Sequence, residues 1–453
     1  MSLDQRIRTW LGSISDTFEP LAPLERKRPY EETQSTPQKR HRTDSPIGET
    51  SSLNLQIHQF GLKRQRSVLG DGVHSRTGPE GRVLGRVASM PLLVPRPHDF
   101  NPLPKTYTQA DYFSLQLSPN DLPLSLRNFM NKVDEIVKGD GILPNSERSW
   151  IRDTSKVSYY QDWNWAREGP QSERYFHDDR NKLGATPHMG IVNKILYQAQ
   201  FCQTSGASQA DWNIEVTQRI LEASLRPLSG PGCSQLVDFR SGTTATVIPE
   251  YNTDTLRPRQ TDFSVYIDPA CDTDPQVSRQ VHTFRQSLPR STFNHVDLPT
   301  LHARPIALSV ETLQDNTMGF AGLRKGVSML PHYKFLQALL AKRYEASQTR
   351  RSWEQQNDGE MHPDSYFTAA PQLLDFLPGI VIQGHKWHLV VAVPQGDKMG
   401  FYERISFGNT ASSKGIYQII CVLQLLQHWA REIYWPWLRN LLMKWPRRPG
   451  VGQ

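Results

Sequence analysis

Asp262-Phe263-Ser264-Val265-Tyr266-Ile267 and Ile306-Ala307-Leu308-Ser309-Val310-Glu311-Thr312 are the two stretches on which the reading of the chain turns. Both are rich in β-branched, aromatic and aliphatic residues, the composition of buried strands. Asp262 opens the first and Glu311 stands near the close of the second. A carboxylate at the end of a buried strand is costly unless it is paired or binds a cation. Two such strands side by side bring Asp262 and Glu311 to one rim. Their oxygens, with the carbonyl of Thr312, form the few-carboxylate set that Mg²⁺ takes alongside waters and a substrate phosphate. A cation held there polarises a phosphodiester and lowers the pKa of an attacking water.

Working outward, further strand-like runs precede this pair at Leu236 to Arg240 and Thr243 to Ile248. Before them, Ser208 with Asp211 three residues on resembles a capping box. It opens a helix carrying Trp212, Val216 and Ile220 on one face, with Leu221 and Leu225 beside it, broken at Leu228-Ser229-Gly230-Pro231-Gly232. Glu215 lies on this helix in a row with Asp211 and Arg219. Downstream, a helix with Leu336, Leu339 and Leu340 follows Pro331. A hairpin pairs Gly379 to Ile382 with Trp387 to Val393 through Gln383-Gly384-His385, and Tyr402 to Phe407 adds a strand. A last helix from Gly415 is predicted to stop at Pro436. The order predicts an α/β fold: one central mixed β-sheet with helices on its faces.

The N-terminal third has another character. Residues 1–105 are rich in Ser, Thr, Pro, Arg and Gln, lack sustained periodicity, and are predicted to form a long disordered basic arm. They hold 16 Lys and Arg against 11 Asp and Glu, five of the chain's formal net charge of +7. Two clusters, Arg26-Lys27-Arg28 and Lys39-Arg40-His41-Arg42, have the spacing of a bipartite nuclear import signal, which predicts a nuclear location and an import receptor as partner. Residues 106–200 are predicted to be a helical and aromatic cover, with Leu126, Phe129, Val133 and Ile136 at helical spacing up to Gly139-Asp140-Gly141. Residues 201–445 form the main domain.

Composition narrows the classes. The greasiest run, Ile416 to Leu426, is interrupted by Gln418 and Gln424 and is too short to span a membrane. Cys202, Cys233, Cys271 and Cys421 are far apart and form no CxxC pair, so neither a zinc knuckle nor a disulfide framework is expected. The sequence holds no GxxxxGK[ST] loop, GxSxG elbow or HExxH, which removes support for nucleotide hydrolysis, serine hydrolysis and zincin chemistry.

Several ordered marks resemble one family. They are Trp212-Asn213-Ile214-Glu215-Val216 in the helix, Thr243 to Pro249 in a first hairpin, Thr261-Asp262-Phe263, and Pro305 through Thr312. They continue with Leu377-Pro378-Gly379-Ile380-Val381, Gly384-His385-Lys386-Trp387, and Trp429 through Trp435-Pro436-Trp437. Between about Pro104 and Trp437 the chain is similar to the fungal PD-(D/E)XK nuclease-like proteins of the restriction-endonuclease-like superfamily. The resemblance implies a central mixed sheet flanked by helices and Mg²⁺-dependent phosphodiester cleavage as the ancestral activity. It casts Glu215 as the helix acid, Asp262 as the first metal acid and Glu311 as the second, with Thr312 giving its carbonyl. The family pattern places a lysine two residues after the second acid, where this sequence has Leu313. Two roles stand open for Arg324 and Lys325, in Leu323-Arg324-Lys325-Gly326-Val327: a cation that reaches the site from the next helix in its place, or solvated surface groups.

Plainer roles compete at each position. Glu215 and Arg219 form an i, i+4 pair that stabilises a helix by about 0.3–0.5 kcal/mol. Asp262 can cap a turn and Glu311 can pair with Arg324. His177-Asp178-Asp179 suits a capped loop, and His385 and His388 suit packing in a hairpin. Three functions therefore stand side by side: a Mg²⁺-dependent nuclease acting on DNA, a nuclease-derived nucleic-acid-binding protein that no longer cleaves, and a plain interaction module.

Overall fold

Leu126, Phe129, Val133 and Ile136 recur every three or four residues, and all four are buried on one side of α1 (Leu124–Lys138). Gly139 ends that helix in the left-handed region at φ 93°, and a Cβ there would meet the Tyr175 ring at 2.9 Å. A computed structural model of the chain describes residues 122–445, except 155, 157, 168, 227–234, 253–260, 314–328, 357–372 and 396–397. The basic clusters at Arg26, Lys27, Arg28, Lys39, Arg40 and Arg42 lie outside the described residues. So do Cys233, the break at Leu228 to Gly232, and Arg324 and Lys325.

After α1, short helical turns lead to α2 (Met189–Ser205). Its partner α3 is one rod made of an α turn at Gln209–Trp212, a π turn at Asn213–Thr217 and an α segment at Gln218–Leu225. The predicted capping box is present in both directions between Ser208 and Asp211. Then come β1 (Val237–Ser241), β2 (Phe263–Ile267), α4 (Pro275–Arg285), β3 (Ile306–Leu313) and α5 (Met329–Gln356). The chain continues with β4 (Leu377–Gln383), β5 (Lys386–Gln395), β6 (Lys398–Asn409), α6 (Ser413–Trp429) and α7 (Trp435–Met443).

The six strands form one sheet in the order β6-β5-β4-β3-β2-β1. All neighbours are antiparallel except β3 and β4, which run parallel and need a crossover connection. This is the mixed sheet flanked by helices that the sequence predicts. Side-chain alternation separates its faces. Gly408, Trp387, Ile382 and Thr312 share one row through registered pairs, and α6 covers it, with Ile419 against Gly408. Gly379 lies on the other face, beneath Met329 of α5.

Two expectations need correction. Thr243 to Ile248 is not a strand of the main sheet. Only Thr246–Val247 is extended, paired with Val296–Asp297 in a separate two-stranded ribbon, because Gly242 turns the chain out of β1 and Pro249 starts a 3-10 turn. Pro436 does not end the last helix. A π turn at Ala430–Tyr434 restarts the rod, and Pro436 falls in the first turn of α7, where an N–H needs no partner. Gln418 and Gln424, which interrupt the Ile416 to Leu426 run, are both buried. Gln418 donates to the Val137 carbonyl at 2.7 Å, and Gln424 accepts from Arg180 while donating to the Ala185 carbonyl at 2.8 Å. They tie α6 to the cover segment, whose Trp163 is fully buried. Among the described residues no helix is long and apolar enough to cross a membrane.

Candidate functional site

The register Phe263↔Val310 decides where the two strand acids go. One step beyond it, Asp262 at the mouth of β2 stands across from Glu311 of β3, so the two share a rim. Asp262 is then fixed from three directions. Its Oδ2 accepts the backbone N–H of Thr312 at 2.8 Å. Its Oδ1 accepts the side-chain amide of Asn213 at 2.9 Å and that of Gln209 at 3.3 Å. Gln209 and Asn213 are four residues apart on α3, which puts them on one side of the helix.

Gln209 Nε2 also lies 2.9 Å from the Thr312 carbonyl and 2.6 Å from Thr312 Oγ1. One amide nitrogen thus sits among three oxygens, from the entry of β2 and the exit of β3. Glu311 is buried, 3% exposed, and aligned with Val381 of β4. Glu215 is turned to its own helix: Arg219 donates to its Oε2 through Nη2 at 2.6 Å and Nε at 3.2 Å. Both side chains are about one-third exposed, so the pair adds only a few tenths of a kcal/mol, on the order of 0.5. The structure therefore joins Asp262 with Thr312, places Glu311 opposite, and engages Glu215 with Arg219.

The π turn has a part in this. A π insertion in an α-helix shifts the rows of side chains that follow it. Gln209 lies before the insertion, Asn213 opens it and Glu215 lies within it. Neutral amides, not Glu215, face Asp262.

Below the rim opens a cavity of about 480 Å³ bounded by Gln209, Trp212, Thr312, Leu313 and Ile382, with Cys202 at its side. Leu313, where the family pattern has lysine, lines this cavity and packs against the core. Burial and the nearby carboxylates of Asp211 and Glu215 push the Cys202 thiol above its ordinary pKa, so it stays protonated at neutral pH. Trp212 meets His385 edge to face at 5.0 Å, and His385 Nδ1 bonds Thr410 Oγ1 at 2.8 Å, the packing role expected of a hairpin histidine.

The donor set suits a hard cation: carboxylate, backbone carbonyl and hydroxyl oxygens. Asn213 adds a second sign. Its Oδ1 is buried and, among the described residues, has no hydrogen-bond partner, beside the nitrogen that serves Asp262. Buried polar atoms are nearly always satisfied, and a water or hydrated cation would satisfy this one. Among the described residues no three His, Cys, Asp or Glu side chains converge, so any cation here would take part of its shell from carbonyl, amide and water oxygens.

Sequence reasoning passed over Gln209 and Asn213. The available signal was their i, i+4 spacing just before Glu215, which puts two amides on the helix side that faces a strand acid.

Residues 157–435 match a family model described as the PD-(D/E)XK nuclease superfamily. No curated protein and no solved structure matches the chain.

Proposed function

The chain belongs to the PD-(D/E)XK nuclease superfamily, and from that premise we propose that the rim of Asp262, Glu311 and Thr312 holds a divalent cation, Mg²⁺, and cleaves phosphodiester bonds of DNA. Nucleases of this superfamily commonly use divalent metals. One observation carries the reading. Asp262 Oδ1, Thr312 O and Thr312 Oγ1 lie 3.3, 2.9 and 2.6 Å from a single hydrogen-bond donor, the Gln209 amide nitrogen, whose N–H groups carry positive partial charge. Oxygens from two strands that converge on such a point form a place for positive charge.

The cation, when bound, polarises the phosphate and lowers the pKa of an attacking water. The chain's own groups do the rest. The Thr312 N–H and the Asn213 amide hold Asp262 in one orientation. Glu311 supplies the second carboxylate from across the strand pair. The buried Asn213 Oδ1 is placed to accept a hydrogen bond from a water bound at the rim and so to orient it. Arg324 or Lys325 takes the charge-stabilising role that Leu313 cannot, since leucine offers no charge or donor to a developing phosphate anion. Nicking of supercoiled plasmid by the purified full chain with Mg²⁺ or Mn²⁺ tests this. Nicking is expected in the wild type and lost in Asp262→Ala; cleavage that survives the substitution removes the site assignment.

A second reading, nucleic-acid binding without turnover, is favoured by Leu313, whose side chain lies in the cavity wall and core instead of offering a cation. Salt-dependent retardation of DNA with no metal-dependent product would establish it. Under either reading the two basic clusters from Arg26 to Arg42 address the protein to the nucleus. A fluorescent protein fused to residues 20–48 should accumulate there, and should cease to do so when Lys39, Arg40 and Arg42 become alanine.

A further inference from the structure

We infer that Gln209 is the gate of the cation site: its carboxamide nitrogen stands in for the ion, and a divalent cation binds only by displacing it. The inference rests on the reading of the Asp262 rim as a cation site.

The identity of the amide atom follows from its neighbours. Asp262 Oδ1 and the Thr312 carbonyl can only accept hydrogen bonds. An amide oxygen turned toward them would face two acceptors without a proton, so the nitrogen faces them. An NH₂ group has two protons and here meets three oxygens at 2.6–3.3 Å. At least one oxygen shares a donor, so the cage holds more acceptor capacity than one amide can satisfy. A cation with a wider coordination shell uses that capacity in full.

Gln209 is also placed to move. It is the first residue of α3, directly after the Ser208 cap and three residues after Gly206, which sits in the left-handed region at φ 63°. Its side chain is half-buried and borders the cavity shared with Trp212 and Leu313, so it has space to withdraw. Asn213, by contrast, is buried and keeps its bond to Asp262 while its own oxygen faces no donor. Gln209 therefore leaves and Asn213 stays. In the absence of metal the two amides keep the Asp262 carboxylate hydrogen-bonded, so the rim is stable without a cation.

Calorimetric titration of the full chain with Mn²⁺ at neutral pH separates the outcomes, using the wild type, Gln209→Ala, Gln209→Glu and Asp262→Asn. Gln209→Ala should bind about tenfold more tightly than the wild type, the equivalent of one hydrogen bond to a charged acceptor that no longer has to be broken. Gln209→Glu, which adds a carboxylate to the cage, should bind more tightly still. Asp262→Asn should not bind. Binding by Gln209→Ala that equals or falls below the wild type, with Asp262→Asn silent, overturns the gate and leaves the cation site standing. Binding in Asp262→Asn equal to the wild type, or binding in no variant, overturns the site itself. Thermal melts accompany the series; Gln209→Leu, which keeps the side chain's bulk, replaces the alanine variant if that one melts early.

Discussion

The backbone N–H of Thr312 donates to Asp262 Oδ2 at 2.8 Å, closing a bond between the exit of β3 and the entry of β2. Asp262 is therefore a structural clip as well as a candidate ligand. Two strands and α3 meet on its carboxylate. Asp262→Ala should destabilise the protein by about 1–3 kcal/mol, because the donors of Thr312, Asn213 and Gln209 lose their acceptor together. Urea unfolding checks this, and a midpoint equal to the wild type would show that these bonds add nothing.

Leu313 makes a gain-of-function test available. Leu313→Lys puts an ammonium into the cavity that Gln209 and Thr312 border. If the missing lysine limits the chemistry, plasmid nicking with Mg²⁺ should rise on the order of a hundredfold. An unchanged rate would place the limiting charge elsewhere, with Lys325→Ala and Arg324→Ala as the next variants to assay.

His295 and His332 stack in the interior with ring centroids 4.8 Å apart and planes inclined by 20°. Burial holds both neutral. It drives His295 well below the ordinary histidine value, helped by its neighbour, and lowers His332 to about 3. Because these folded-state values are depressed, the stability contributed by the rings is whole above their unfolded value of about 6.5 and is lost as pH falls below it. Each ring's loss steepens toward about 1.4 kcal/mol per pH unit. The urea midpoint should therefore fall between pH 6.5 and 5, and fall less in His332→Phe.

The same pair gives a stabilising substitution. Among the described residues neither ring nitrogen of His295 has a hydrogen-bond partner, and the residue is wholly buried. Replacing an unsatisfied buried polar ring by an apolar one of similar shape removes a desolvation penalty. His295→Phe should raise stability by about 1 kcal/mol, read as a higher melting temperature at pH 7. A lower one would mean that the ring has a partner, such as a bound water.

Gly415 and Gly408 let α6 press against β6. A Cβ at Gly415 would lie 2.1 Å from the Asn409 carbonyl oxygen, and one at Gly408 would lie 2.6 Å from the Gly415 carbonyl oxygen. Neither obstacle is the end of a flexible side chain. Gly415→Ala should cost about 1–3 kcal/mol or more. A melting temperature within a degree of the wild type would show that the helix can shift.

The strands and helices were legible because their signals are local. The stripe Leu126, Phe129, Val133, Ile136 could bury only as a helix, and Asp262 through Ile267 could pack only as a strand. The capping box at Ser208 needs residues three apart and nothing else. Thr243 to Ile248 misled because its extended composition says nothing of which partner it finds, and Val296–Asp297 lies about fifty residues on. Pro436 misled because its meaning depends on where a helix begins, and the π turn before it moved that beginning.

The sequence by itself determined the apolar patterns, the order of elements and the presence of Asp262 and Glu311 at the ends of strand-like runs. Tertiary structure decided the rest of the site. Only the register Phe263↔Val310 put the two acids opposite each other, and only the packing of α3 on the strand ends brought Gln209 and Asn213 to Asp262 while Glu215 turned to Arg219. The physical reason is range. Periodicity and capping are fixed within a few residues, whereas a carboxylate's partners come from segments roughly fifty residues apart whose meeting depends on the whole core.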